Sequence, residues 1–174
     1  YFHYMKEFNK ALTDFNKSLA LDLKSIETLT RRAYLYQDND DLELALEDFT
    51  SAIDLDTENP LPYNERAVFY QNYKKDYNLA LIDYSKVIEL DPKNSSIYYN
   101  RAGLHIDYKK YTLALIDYSK AIELDPTDID SWYARGTLYD DYLNNNNAAL
   151  KDYEKVLEID STNIHAINRI GLIY

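Results

Sequence analysis

The chain has 174 residues, 46% hydrophobic and 28% charged, with only three glycines and four prolines; it carries enough apolar side chain to fold and too few turn residues for an all-β sandwich or barrel. A formal charge of −11, with no basic cluster longer than Arg31-Arg32, Lys74-Lys75 or Lys109-Lys110, argues against nucleic acid and against an anionic membrane as partners. The absence of cysteine removes disulfides, thiolate metal sites and cysteine nucleophiles together.

In chain order the expected elements recur. Tyr1 to Lys10 lacks the basic-then-apolar build of a signal peptide and is expected to lie within a first, partial helix. A second helical stretch starts at Ala11, and equivalent stretches open at Ala45, Ala80, Ala114 and Ala149, at steps of 34, 35, 34 and 35 residues. Ala45 to Asp56, Ala80 to Asp91 and Ala114 to Asp125 are near copies. Upstream of each alanine lies another apolar-periodic stretch, such as Tyr98 to His105 or Trp132 to Tyr139. We term the upstream stretch helix A and the alanine-led stretch helix B.

A period in this range marks an array in which each repeat is one helical hairpin that buries its apolar face only by stacking on neighbours. The expected organisation is a single array over 1–174, with repeats 1–25 (partial), 26–59, 60–94, 95–128, 129–163 and 164–174 (partial). The additional residue of the 35-residue repeats is expected in the A–B turn, at Asn72 to Asp76 and Leu143 to Asn147, with Asn144 to Asn147 forming a longer loop. In the last stretch Ile164, Ile167, Ile170 and Ile173 form an apolar stripe at helical spacing. It offers a route to self-association.

Two further recurrences concern packing. Ala33, Ala67, Ala102, Gly136 and Gly171 on helix A recur in register with the helix B alanines and mark expected close approaches. Arg32, Arg66, Arg101 and Arg135 each precede the small position, and Asp48, Asp83, Asp117 and Asp152 follow 16 or 17 residues later. In an antiparallel hairpin whose turn lies midway, such positions stand at one height on facing helices, which predicts an Arg–Asp ladder inside the array. A row of anionic-ligand contacts is the alternative reading of the arginines.

At this level of detail the chain resembles the tetratricopeptide repeat family. The slots of its signature are Tyr98, Ala102, His105, Ala114, Tyr118, Ala121 and Pro126 in one repeat and Trp132, Gly136, Tyr139, Ala149, Tyr153, Val156 and Ser161 in the next. Departures are local: Leu23, Thr57 and Ser161 replace the final proline, His105 replaces an aromatic residue, and Asn, Asp or Lys replace the usual turn glycine. The resemblance implies an all-α, right-handed superhelical solenoid of antiparallel hairpins, with no cofactor, no metal and no catalytic residues, and a concave groove lined by helix A that receives peptide segments.

Carried over slot by slot, the groove would be lined by Tyr34, Asn64, Glu65, Tyr99, Asn100, Asp107, Asp130, Tyr133 and Asp140. Tyrosine offers an apolar body with a hydrogen-bonding tip, asparagine pairs with a peptide backbone, and carboxylates favour Lys or Arg. A neutral-to-basic protein or peptide partner is therefore expected. Chaperone-binding members grip a C-terminal carboxylate through Lys, Asn and Arg slots; here these hold Asn64, Asn100, Asp130 and Ala134, so no chaperone-tail clamp is expected. Adjacent carboxylates such as Asp40-Asp41 and Asp140-Asp141 read as solvated charge, and His3, His105 and His165 share no metal-ligand spacing. Besides a protein-interaction scaffold, a self-associating structural array and a targeting or regulatory segment of a larger enzyme stay open.

Overall fold

The computed structural model describes residues 2–174, with side chains from Glu7 onward. Ten α-helices and no strand occur among the described residues: α1 (Phe2–Leu21), α2 (Ile26–Asp38), α3 (Leu42–Leu55), α4 (Pro60–Phe69), α5 (Tyr77–Leu90), α6 (Ser95–Asp107), α7 (Tyr111–Leu124), α8 (Ile129–Thr137), α9 (Asn146–Ile159) and α10 (Ile164–Ile173). They form two compact units, divided between Asp91 and Pro92. In the first, α2 pairs with α3 and α4 with α5, and α1 packs on α2; in the second, α6 pairs with α7 and α8 with α9, and α10 packs on α9. The A helices are α2, α4, α6, α8 and α10; the B helices α3, α5, α7 and α9.

The first repeat departs from expectation. Residues 2–21 run as one uninterrupted helix, so no separate helix A precedes Ala11. Glu7 stands where the later repeats place the N-cap of helix B, and the backbone hydrogen-bond ladder passes straight through it.

Each later hairpin reverses through one left-handed residue: Asp40, Lys75, Lys109 and Asn144, with φ of 65°, 52°, 58° and 50°. The following residue starts helix B, and where it is Asp76 or Asn145 its side chain caps the amide of Leu79 or Ala148. Capping of this kind satisfies one of the amides that a helix start leaves without an intrahelical partner. The expected Asn loop is thus half helix: Asn144 supplies the left-handed turn, Asn145 the cap, and Asn146 and Asn147 already belong to α9.

Nor does the additional residue of the 35-residue repeats sit in the turn. Helix A ends in a π-helical segment, Tyr70–Lys74 after α4 and Leu138–Tyr142 after α8. In the 34-residue repeats the closing bond spans five residues, from Asp41 N to Tyr36 O (2.9 Å) and Lys110 N to His105 O (2.7 Å); in the 35-residue repeats it spans six, from Asp76 N to Tyr70 O (3.0 Å) and Asn145 N to Tyr139 O (2.8 Å). A π turn admits one residue into a helix without opening it, and helix B begins on an equivalent closure in both cases.

The B-to-A connections use an aspartate at the end of helix B. Asp22, Asp56, Asp125 and Asp160 each accept the backbone amide two residues on, at 3.0–3.1 Å, and Thr127 and Thr162 add their hydroxyls at 2.7 Å. These hydrogen bonds hold the Asp125 and Asp160 carboxyls below the usual range. Such Asx turns set the bend locally, which is why Thr57 and Ser161 serve where the family places proline.

Buried alanines let each pair of helices approach. Ala33, Ala45 and the rings of Phe49 and Phe69 form one cluster; Ala102, Ala114, Tyr118 and Leu138 a second; Ala149, Tyr153, Val156 and Ala166 a third. A Cβ added at Gly136 would stand 2.7 Å from Tyr153 Cε1, whereas one at Gly103 or Gly171 would meet nothing within 4 Å. Gly171, expected at a close approach, is exposed, and among the described residues nothing stands within 4 Å of a Cβ placed there.

Candidate functional site

Four arginines on the A helices reach across their hairpins to the B helices. Arg32 donates Nε and Nη2 to Asp48 at 2.7 Å each. Arg66 does so to Asp83 at 2.8 and 2.9 Å, Arg101 to Asp117 at 2.8 and 2.7 Å, and Arg135 to Asp152 at 2.8 Å twice. Each is a two-bond fork between a planar guanidinium and a buried carboxylate. The third arm ties back to the preceding repeat: Arg32 Nη1 to Asn16 Oδ1 (2.7 Å), Arg66 to Thr50 (3.2 Å) and Arg135 to Ser119 (3.0 Å). An aromatic ring also lies under each guanidinium: Tyr36, Tyr70, Tyr98 and Trp132, the last 5.0 Å from Arg135 Cζ. Hydrogen bonding to Asp48 and Asp152 strengthens the hold of Arg32 and Arg135 on their protons. Burial opposes ionisation of Asp117, yet Arg101 and His105, whose Nε2 is 3.4 Å away, hold it below the usual carboxylate range.

On the helix-A face of the first unit, Tyr34 packs edge-on against Phe49 at 5.8 Å and donates its hydroxyl to Glu65 on the next helix A. Burial and that contact push the Tyr34 hydroxyl well above its ordinary pKa. Asn64 Nδ2 reaches the other oxygen of Glu65 at 3.2 Å. Three of the residues expected in a groove are therefore tied to one another.

In the second unit Tyr99 lies 5.6 Å from Tyr118, and Tyr133 5.6 Å from Tyr153, so both rings extend the core while remaining partly exposed. Burial, with the nearby negative charge of Asp130, raises Tyr99. Asn100 is half-buried, and Asp107 and Asp130 are exposed. Asp140 and Asp141, read from the sequence as solvated charge, instead hold Arg169 of α10: Arg169 donates to both Asp141 oxygens at 2.7 and 2.8 Å and to Asp140 Oδ2 at 3.3 Å. Asp141, followed by Tyr133, keeps the guanidinium firmly protonated.

The isoleucine stripe of α10 is divided. Ile170 and Ile173 pack against the Tyr153 and Val156 cluster, while Ile164 and Ile167 face solvent, 68% and 48% exposed. Among the described residues no group of three or more His, Asp or Glu is placed to hold a metal ion, and no helix is long and apolar enough to cross a membrane. His3 lies outside the described side chains.

Family profiles described as tetratricopeptide repeat match residues 26–59, 62–94, 95–128 and 118–151. The chain belongs to the tetratricopeptide repeat family. No curated protein sequence matches it. Among solved structures, MamA superposes with a TM-score of 0.75 at 22% identity, covering 90% of this chain and 91% of that one. YrrB, described as a tetratricopeptide repeat protein with an unusual peptide-binding site, superposes at 0.71 with 21% identity over 94% and 84%. The first such domain of Spaghetti (RPAP3), bound to the HSP90 peptide SRMEEVD, superposes at 0.60 with 30% identity over 68% and 92%. An all-α tetratricopeptide fold and membership of an interaction-scaffold family follow.

Within this tetratricopeptide frame, the contacts that sequence reasoning missed join one helix A to the next. Tyr34 meets Glu65, and Arg169 meets Asp140 and Asp141. Neither pairing recurs along the chain, so no repeat comparison displays it; opposite character at facing slots of successive A helices was the available signal.

Proposed function

We propose that this scaffold binds a neutral-to-basic peptide segment of a partner protein on its helix-A faces. The observation that carries the reading is the chemistry of the second unit, where the tyrosines Tyr99 and Tyr133, the amide of Asn100 and the carboxylates of Asp107 and Asp130 share the A helices. The ladder arginines, which could have offset those carboxylates, are engaged by their own aspartates, and the chain as a whole carries −11. A basic ligand is attracted to such a face and an acidic one repelled.

The peptide seen on Spaghetti, SRMEEVD, is acidic and marks a contrast. The slots that would grip a terminal carboxylate hold Asn64, Asn100, Asp130 and Ala134 here, and only Asn100 suits that role. This chain is therefore read as a scaffold for a different class of peptide.

The test is a peptide-display selection on the wild-type chain and on an Asn100→Ala, Asp107→Asn, Asp130→Asn variant of unchanged helicity. Enrichment of Lys- or Arg-containing peptides that the variant loses supports the reading; acidic peptides, or binding that ignores all three substitutions, refutes it.

A further inference from the structure

The two units differ at one pair of equivalent slots on the helix-A face. In the first unit the residue two after the ladder arginine is Tyr34, and the residue one before the next ladder arginine is Glu65; hydroxyl and carboxylate close the space between α2 and α4. In the second unit the same slots hold Gly103 on α6 and Ala134 on α8. A side chain started at Gly103 meets nothing within 4 Å. Where one unit is bridged, the other is open.

The chemistry around this opening is specific. Tyr99 and Ile106 on α6 and Ala134 on α8 pack on the Ala102, Tyr118 and Leu138 cluster and make its walls apolar. Asp107 stands one helical turn beyond Gly103, and Asp130 one turn before Ala134, close enough to Tyr99 to act on its hydroxyl. Burial raises the Tyr118 hydroxyl, with Tyr99 and then Asp107 adding to the effect. A carboxylate therefore stands on each side of an apolar slot. Arg101 and Arg135, on the same two helices, are turned to Asp117 and Asp152.

We propose that the notch between Gly103 and Ala134 takes the side chain of a single Lys or Arg of an extended peptide. Its methylene stem lies along Tyr99 and Ile106 and its cationic head reaches Asp107 or Asp130, the arrangement in which a long basic side chain satisfies both halves of itself. The first unit, bridged by Tyr34 and Glu65, has no such slot. This assignment rests on the peptide-binding reading above and narrows it to one unit and one ligand residue.

The test uses nine-residue peptide pools with random flanks and a fixed central Lys, Arg, Met or Glu, measured by fluorescence anisotropy on the full chain. Gly103→Tyr closes the notch with the side chain the first unit already carries, and Gly103→Ala serves as a control that leaves it nearly open; melting temperatures at or above that of wild type, as expected when a helix-interior glycine gains a Cβ, establish that both fold. Central-Lys and central-Arg pools are expected to bind wild type and Gly103→Ala at least tenfold more tightly than Gly103→Tyr, and more tightly than the Met and Glu pools. Binding of the basic pools that survives Gly103→Tyr, or a Met pool equal to the Lys pool, overturns the notch and leaves the general reading standing; failure of every pool on wild type overturns both.

Discussion

Tyr84 donates its hydroxyl to Gln71 Oε1 at 3.1 Å, while one repeat earlier Phe49 occupies the tyrosine's place and Gln37 Oε1 is buried with no hydrogen-bond partner. The same glutamine is satisfied in one repeat and left wanting in the other for lack of one oxygen atom. A buried acceptor without a donor costs about 1–3 kcal/mol. Phe49→Tyr is expected to raise the unfolding free energy by about 1 kcal/mol, read from the urea midpoint at unchanged slope, and Gln37→Leu to do the same by removing the acceptor. Combining them should give no further gain, because the hydroxyl would then lack its partner.

The forks between arginine and aspartate are expected to behave as buried pairs. Asp83 is 2% exposed, so Asp83→Ala strands the Arg66 guanidinium and should cost about 3–5 kcal/mol. Replacing both partners, Arg66→Leu with Asp83→Leu, should recover most of that loss. A double-mutant cycle by chemical denaturation checks it, and additive single effects would show that the two side chains do not act together.

Acid sensitivity follows from Asp117. Its folded pKa is depressed below the unfolded value of roughly 3.9, so its contribution is fully present above the unfolded pKa and is lost as pH falls through the folded one. Asp117→Asn is therefore expected to be less stable than wild type at neutral pH, with the gap closing below about pH 4. Thermal melts of both proteins from pH 7 to pH 2.5 measure it; a gap independent of pH would assign the difference to shape alone.

Two backbone substitutions should move stability in opposite directions. Lys109 holds φ of 58°, a conformation that costs a non-glycine residue roughly 1–2 kcal/mol, so Lys109→Gly is expected to stabilise by about 0.5–1 kcal/mol after the entropy glycine adds to the unfolded chain. Gly136→Ala brings a Cβ to 2.7 Å from Tyr153 and is expected to destabilise by about 1–3 kcal/mol. Equilibrium unfolding of both variants gives the two signs in one experiment.

The repeat was legible in the sequence because its determinants recur: the helix B alanines, the small residues of helix A, and the arginines and aspartates at fixed separation. What recurs without variation in type but was not read is the terminal aspartate of helix B, Asp22, Asp56, Asp125 and Asp160, whose Asx turns are visible as a spacing only once the acceptor amide is known. The π turns were not legible, since a period counts residues without saying which turn of backbone widens to hold the additional one. On the helix-A faces, amino-acid type at a slot says what a side chain offers but not whether its neighbour takes it first. Tyr34 and Glu65 illustrate this, each suited to a ligand and each engaged by the other, whereas Gly103, itself at a groove slot, offers nothing except room.

The π turns at Tyr70–Lys74 and Leu138–Tyr142 also bear on how such a chain can change length. Arg66 and Asp83 are separated by 17 residues and Arg32 and Asp48 by 16, yet their donor–acceptor distances agree to within 0.2 Å. The fork thus acts as a registration mark, and the end of helix A as the place where a codon can be gained or lost without moving it. A residue gained or lost at this point should therefore leave the fork, and the hairpin it pins, in place.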